Sequence, residues 1–233
     1  MISNISIMPI KNMLKNALNI HNFSFKNHTS TAIIGTNGAG KSTLINTILG
    51  IRSDYNFKAQ NNNIPYHDNV IPQRKQLGVV SNLFNYPPGL NANDLFKFYQ
   101  FFHKNCTPNL FEKNLLNKTY EHLSDGQKQR LKIDLALSHP QLIIMDEPET
   151  SLEQNALIRL SNLISLRNTQ QLTSIIATHD PIVLDSCEWV LLLKNGNVAQ
   201  YKPLNSILKS VAKTFNFKEK PTTKDLLALL KDI

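Results

Sequence analysis

The sequence is poor in cysteine, with only Cys106 and Cys187 in 233 residues. The two show no metal-ligand spacing and build no disulfide framework, so both are expected as buried or half-buried free thiols in a reducing compartment. Long apolar runs are missing too. The longest strong one, Trp189 to Leu193, has the length of a strand, far short of a membrane span. Met1-Ile2-Ser3-Asn4 lacks a basic stretch leading into an apolar one, so no signal peptide is visible. There are no internal repeats, and the stretch from Lys41 to Ser124 sustains no heptads, which excludes a long coiled coil there. Acids are outnumbered, 17 against 25 Lys and Arg, for a net charge of +8. The bases are scattered, and in their densest region, Lys209 to Lys231, acids such as Glu219 and Asp225 are interleaved. That is the pattern of a solvated surface, and no nucleic-acid partner is expected. At 41% hydrophobic and 18% charged residues the chain can bury the core of one domain with a small lobe.

What is present begins at Ile33-Ile34-Gly35-Thr36-Asn37-Gly38-Ala39-Gly40-Lys41-Ser42-Thr43-Leu44. Gly35 to Ser42 fits the phosphate-loop spacing Gly-x-x-x-x-Gly-Lys-Ser/Thr. Its glycines let the backbone come close to an anion, and its N–H groups, from Gly35 through Thr43, then cradle nucleotide phosphates. Lys41 is assigned to the β- and γ-phosphates and the Ser42 hydroxyl to Mg²⁺. The context agrees: Thr31 to Ile34 reads as a buried strand and Ser42 to Leu49 as a helix with Leu44, Ile45 and Ile48 on one face.

The rest reads as strands alternating with helices, which predicts an α/β domain with a mostly parallel sheet. Ile5 to Ile7 is expected as an edge strand and Leu18 to Phe25 as a second strand. Arg52 to Gln76 is expected as an irregular β-type excursion or surface loop. Strands are predicted at Leu77 to Val80, Gln141 to Asp146, Leu172 to Thr178 and Trp189 to Leu193, with Asn195-Gly196 turning a hairpin into Val198 to Tyr201. Helices are predicted at Asn93 to Phe102, Pro108 to Asn117, Gln127 to Ser138, Leu152 to Leu166, Pro181 to Ser186, Ser206 to Lys213 and Thr222 to Leu230. The aromatic stripe of the first of these is expected to pack between a helical lobe and the core, the alternative being a face for a partner.

Leu142-Ile143-Ile144-Met145-Asp146-Glu147-Pro148 is the second chemical signal. An apolar strand ending in two carboxylates puts them at the edge of the sheet where α/β folds bind ligands. Asp146 is assigned to Mg²⁺, and Glu147 to the water that attacks the γ-phosphate. Between the two signals lies Leu123-Ser124-Asp125-Gly126-Gln127, before a helix. With Thr178-His179-Asp180 after the next strand, the set and its order resemble the ATP-binding cassette (ABC) ATPases, whose signature is usually Leu-Ser-Gly-Gly-Gln. The resemblance spans roughly Leu18 to Tyr201.

The resemblance implies a phosphate-loop ABC-ATPase fold: a mostly parallel core sheet, a small antiparallel β region and a helical lobe at about 82–130. The whole of 1–233 is then one domain with a C-terminal helical extension at about 203–233. It implies ATP and Mg²⁺ as ligands, and a second ABC ATPase subunit, homodimeric or heterodimeric. Each ATP would lie between Lys41 of one subunit and Ser124, Gly126 and Gln127 of the other. His179 corresponds to the histidine that contacts the γ-phosphate, and Thr150-Ser151-Leu152-Glu153 to the loop crossing the dimer interface. An integral membrane permease docking on the lobe is the further partner, at the cytoplasmic face of the membrane, with export the expected direction. The alternative is a soluble ABC ATPase acting on ribosome or DNA. Four departures stand out. Asn82 takes the place of the Gln that meets Mg²⁺, Asp125 replaces a glycine, Glu153 replaces an Asp, and no aromatic ring precedes Phe23 to stack on adenine.

Overall fold

The computed structural model describes residues 4–9, 18, 20, 23–49, 51, 55–60, 77–103, 106–138, 141–217 and 219–231. Among them two sheets form. In the smaller, β1 (Asn4–Pro9) pairs antiparallel with both β2 (Phe23–Ser24) and β4 (Tyr55–Gln60). The segment expected at the edge is therefore its middle strand, and among the described residues of Leu18 to Phe25 the strand is Phe23–Ser24. β4 alternates apolar Tyr55, Phe57 and Ala59 with polar Asn56, Lys58 and Gln60, the period of a strand inside the expected excursion; positions 52–54 and 61–76 of that excursion lie outside the described residues.

The larger sheet runs in the order β5 (Leu77–Val80), β6 (Leu142–Asp146), β7 (Thr173–Ala177), β3 (Ser30–Ile34), β8 (Trp189–Lys194), β9 (Asn197–Pro203). The first five are parallel, and β9 returns antiparallel to β8. That return is the expected hairpin: Asn195 and Gly196 both have positive φ, 49° and 74°, as a tight turn matched to strand twist requires.

Strands buried on both faces read as continuous apolar runs, and β3, β6 and β7 do so. Successive side chains alternate between faces. Ile33, Ile144 and Ile175 join α1 (Lys41–Ile48) through Leu44, Ile45 and Ile48. Ala32, Ile34, Ile143 and Ile176 face the other layer. That layer is made by α3 (Asp125–Leu137), α4 (Gln154–Thr169), the short α5 (Pro181–Asp185), α6 (Leu204–Thr214) and α7 (Thr223–Lys231). Burying each isoleucine stabilises by about 1.5–3 kcal/mol, and these side chains fix the three adjacent strands whose carboxyl ends carry the motif loops.

The lobe has its own core, in which Leu95 and Phe96 of α2 (Ala92–Phe102) meet Phe111, Tyr120, Leu123, Leu131 and Leu135. Packing accounts for only part of the aromatic stripe. Phe98 is 61%, Phe102 46% and Phe101 85% exposed. The helix expected over Pro108 to Asn117 is replaced by a single 3₁₀ turn at Lys113–Leu115. The N–H groups of Asn109, Leu110 and Phe111 all donate to the buried Asp134 carboxylate at 2.8–2.9 Å, which holds this stretch against α3. Arg130 Nη2 on α3 adds a 2.7 Å ion pair to Glu112.

Candidate functional site

The loop after β3 is shaped by its glycines. Gly40 has φ 102°, a left-handed conformation that side chains disfavour, and it starts α1 with no side chain capping the helix. The first N–H groups of α1 therefore have no side-chain acceptor at Gly40, which makes this helix end a fit for an anion. Lys41 is buried, and its Nζ donates to the carbonyls of Gly35 at 2.9 Å and Thr36 at 3.2 Å. The ammonium is thus folded over the start of its own loop.

Ser42 and Asp146 meet across the β3 and β6 loops, with Ser42 Oγ donating to Asp146 Oδ1 at 3.3 Å. Burial lifts the Asp146 carboxyl above the usual range; the Ser42 hydrogen bond opposes this, the Glu147 charge adds to it, and Lys41 opposes it. Among the described residues no three His, Cys, Asp or Glu cluster to hold a metal. One hydroxyl and one carboxylate are hard oxygen donors. They suit Mg²⁺, which keeps water and phosphate oxygens for most of its shell.

Glu147 follows with φ 49°, unusual for a residue with a side chain, and its N–H donates to the Ala177 carbonyl at 2.9 Å. That bond continues the β6–β7 pairing past the strand end and turns Glu147 toward the loop. His179 leaves the end of β7, with Nδ1 3.8 Å from Glu147 Oε1. A cavity of about 700 Å³ brings together Gly35, Thr36, Lys41, Glu147 and His179. A second, of about 340 Å³, joins Gly38, Gly40, Lys41, Ser42, Thr43 and Glu147. The loop residues, both carboxylates and the histidine are therefore one site.

The other assigned residues lie elsewhere. Neither cavity at the phosphate loop is lined by Asn82, Ser124, Gly126 or Gln127. Asn82 lines a separate cavity of about 560 Å³ on the lobe side, with Asp125, Lys128 and Lys132. It follows β5, which β6 and β7 separate from β3, about 14 Å across the sheet at ordinary strand spacing. β5 is also the direct neighbour of β6, so Asn82 leaves the sheet one strand away from Asp146. Ser124 caps α3 reciprocally with Gln127: Ser124 Oγ accepts from the Gln127 N–H at 3.3 Å, and Gln127 Oε1 accepts from the Ser124 N–H at 3.0 Å. The glycine at 126 answers to the chain's own packing, since a Cβ there would lie 2.6 Å from the Ser151 carbonyl oxygen. Asp125 occupies the first turn of α3, where its charge suits the helix dipole.

Three residues of the site have no signal in the sequence. Leu227 and Leu230 of α7 line the larger cavity, with no motif to announce them. Glu149, three residues past Asp146, is buried against His179. No aromatic ring comes to the loop from the cluster of Phe23, Phe25, Trp189 and Tyr201. Those rings pack on one another 4.9–6.3 Å apart, beside the amino end of β3 where Thr31 pairs with Trp189.

The family profile described as ABC transporter matches residues 18–150, more than half of the chain. The chain belongs to the ABC transporter family. This ABC ATPase is 32% identical over 200 residues to the ABC transporter ATP-binding protein YxdL of Bacillus subtilis, covering 78% of each chain. It is 30% identical to the metal-staphylopine import system ATP-binding protein CntF of Staphylococcus aureus, over 77% of this chain and 79% of that one. Among solved structures, the dimeric post-hydrolysis state of the ATP-binding cassette MJ0796, bound to ADP and Pi, superposes with a TM-score of 0.70 at 24% identity. The match covers 86% of this chain and 98% of that one. The fold and the ATPase activity of the family are thereby this chain's own. The expectation of export finds no support among these relatives, one of which is named as part of an import system. No helix among the described residues is long and apolar enough to cross a membrane.

Proposed function

We propose that this chain is the ATP-hydrolysing subunit of a transporter whose membrane channel is a separate protein. The observation that carries the reading is the convergence of Lys41, Ser42, Asp146, Glu147 and His179 at the carboxyl ends of three adjacent strands. The N–H groups of Gly35 to Thr43 and the start of α1 bind the triphosphate, and Lys41 exchanges its loop carbonyls for β- and γ-phosphate oxygens. Ser42 and Asp146 hold Mg²⁺, which supplies charge neutralisation to the phosphates when bound. Glu147 takes the proton of the attacking water, and His179 contacts the γ-phosphate.

Ser124, Gly126 and Gln127 serve the site of a second ABC subunit in a head-to-tail pair; the cassette named above is likewise dimeric. Their distance from the chain's own loop supports that reading. The exposed Phe98, Phe101 and Phe102 of α2 offer the lobe's apolar face to the permease at the cytoplasmic side of the membrane. The chain acts as one unit over 1–233, and the membrane subunit sets the direction of transport.

The test is Glu147→Gln. The variant should bind ATP as tightly as the parent, lose turnover by about 10²- to 10⁴-fold, and accumulate as an ATP-bound dimer on size exclusion. Parent-like hydrolysis would remove Glu147 from the role of base.

A further inference from the structure

Glu149 is the site's unassigned acid, and its surroundings are unusually specific. The residue is 8% exposed. Its Oε1 accepts from Thr178 Oγ1 at 2.8 Å and from the His179 N–H at 2.8 Å, and the same oxygen lies 3.3 Å from His179 Nδ1. Its Oε2 is buried with no hydrogen-bond partner. The His179 ring is otherwise largely open to solvent, its side chain 62% exposed. Glu147 is the second acid facing Nδ1, farther off at 3.8 Å.

We propose that Glu149 is a positioning residue for hydrolysis: it grips the Nδ1 edge of His179 and thereby keeps a hydrogen on Nε2, aimed at the γ-phosphate. The inference rests on His179 contacting that phosphate, as argued above.

The chemistry is a matter of where one proton sits. A neutral imidazole that donates Nδ1–H to a carboxylate leaves Nε2 bare, an acceptor that repels a phosphate oxygen. With one more proton in the pair there are two ways to draw it. In one, the carboxylate faces an imidazolium; in the other, the carboxylic acid donates to Nδ1 of a neutral ring. The two have the same protons and the same charge, and both put hydrogen on Nε2. A buried carboxyl with an orphaned oxygen favours retaining that proton, and burial does lift Glu149 above the usual carboxylate range, against the His179 N–H, the Thr178 hydroxyl and the His179 charge. The grip also removes the rotational freedom an exposed ring would lose on meeting ATP.

Glu149→Gln separates this role from simple scaffolding. The amide oxygen still accepts from Thr178 and from the His179 N–H, so the backbone stays pinned, and it accepts from Nδ1–H as well, which selects the neutral ring with Nε2 bare. With Mg-ATP and the full chain, the variant should keep ATP affinity within about twofold and lose kcat by ~10-fold or more. The loss should match that of His179→Ala, and the double variant should be no worse than either single one. Parent-like kcat in Glu149→Gln, or multiplied losses in the double variant, would overturn the proposal. Full turnover in His179→Ala would instead remove the phosphate contact on which it rests. Ring ¹⁵N spectra of the parent protein decide the matter independently of folding of the variant: hydrogen on Nε2 supports the proposal, and a bare Nε2 with Nδ1–H overturns it.

Discussion

Lys41 is a buried ammonium whose hydrogen bonds, to the Gly35 and Thr36 carbonyls, belong to the loop it serves. Lys41→Ala strips the charge from the loop, and ATP Kd should rise ~100-fold, about the 3 kcal/mol of a lost charged hydrogen bond. Titration calorimetry measures it, and unchanged affinity would remove Lys41 from the phosphate site. Lys41, Ser42, Asp146, Glu147 and His179 were legible because each residue type at its spacing is itself the chemistry. Glu149 was not. Its partners, Thr178 and His179, are about thirty residues away in sequence and become neighbours only because β6 and β7 pair, with Asp146 opposite Ala177.

At the scale of elements, strands buried on both faces were readable as apolar runs and helices with one buried face by their 3.6-residue period. That period misled over Pro108 to Asn117, where only Lys113–Leu115 form a 3₁₀ turn and Asp134 of α3 accepts from the N–H groups of Asn109, Leu110 and Phe111. Burial lifts its carboxyl from 3.8 to about 6, opposed by those same three N–H groups and reinforced by Glu112. A folded value above the unfolded one means the folded chain holds the proton more tightly. The contribution to stability is full below about 3.8 and is lost as pH rises through about 6, by about 3 kcal/mol at most. Chemical denaturation between pH 4 and pH 7 should show that decline in the parent and a flatter profile in Asp134→Asn; parallel profiles would remove Asp134 as its source. On α2 the 3.6-residue period could not say which rings pack and which face out, because apolar residues surround the helix. Phe101→Ser, at a ring 85% exposed, should change stability by no more than about 0.5 kcal/mol. It should also reduce recovery of the chain with the membrane fraction. Parent-like recovery would move the permease contact off α2.

Across the whole molecule, the start of α3 is fastened to the loop after β6 at two points. Gln129 Nε2 donates to the Pro148 carbonyl at 3.0 Å, and Gly126 lies so close to Ser151 that no Cβ fits. Gly126→Ala should displace one of the two segments, leaving ATP affinity at Lys41 unchanged while lowering turnover by ~10-fold; parent-like kcat would show the contact to be slack. The fastening ties what a subunit gives to what it keeps. Pro148 to Ser151 extend from its own Asp146 and Glu147, whereas Ser124 to Gln127, in the pair proposed above, would serve the neighbour's nucleotide. In a head-to-tail pair, a shift in one carboxylate loop therefore reaches the opposite nucleotide through two short rigid links, one per chain. Two such sites would behave as a single closed circuit, in which neither nucleotide is handled in private.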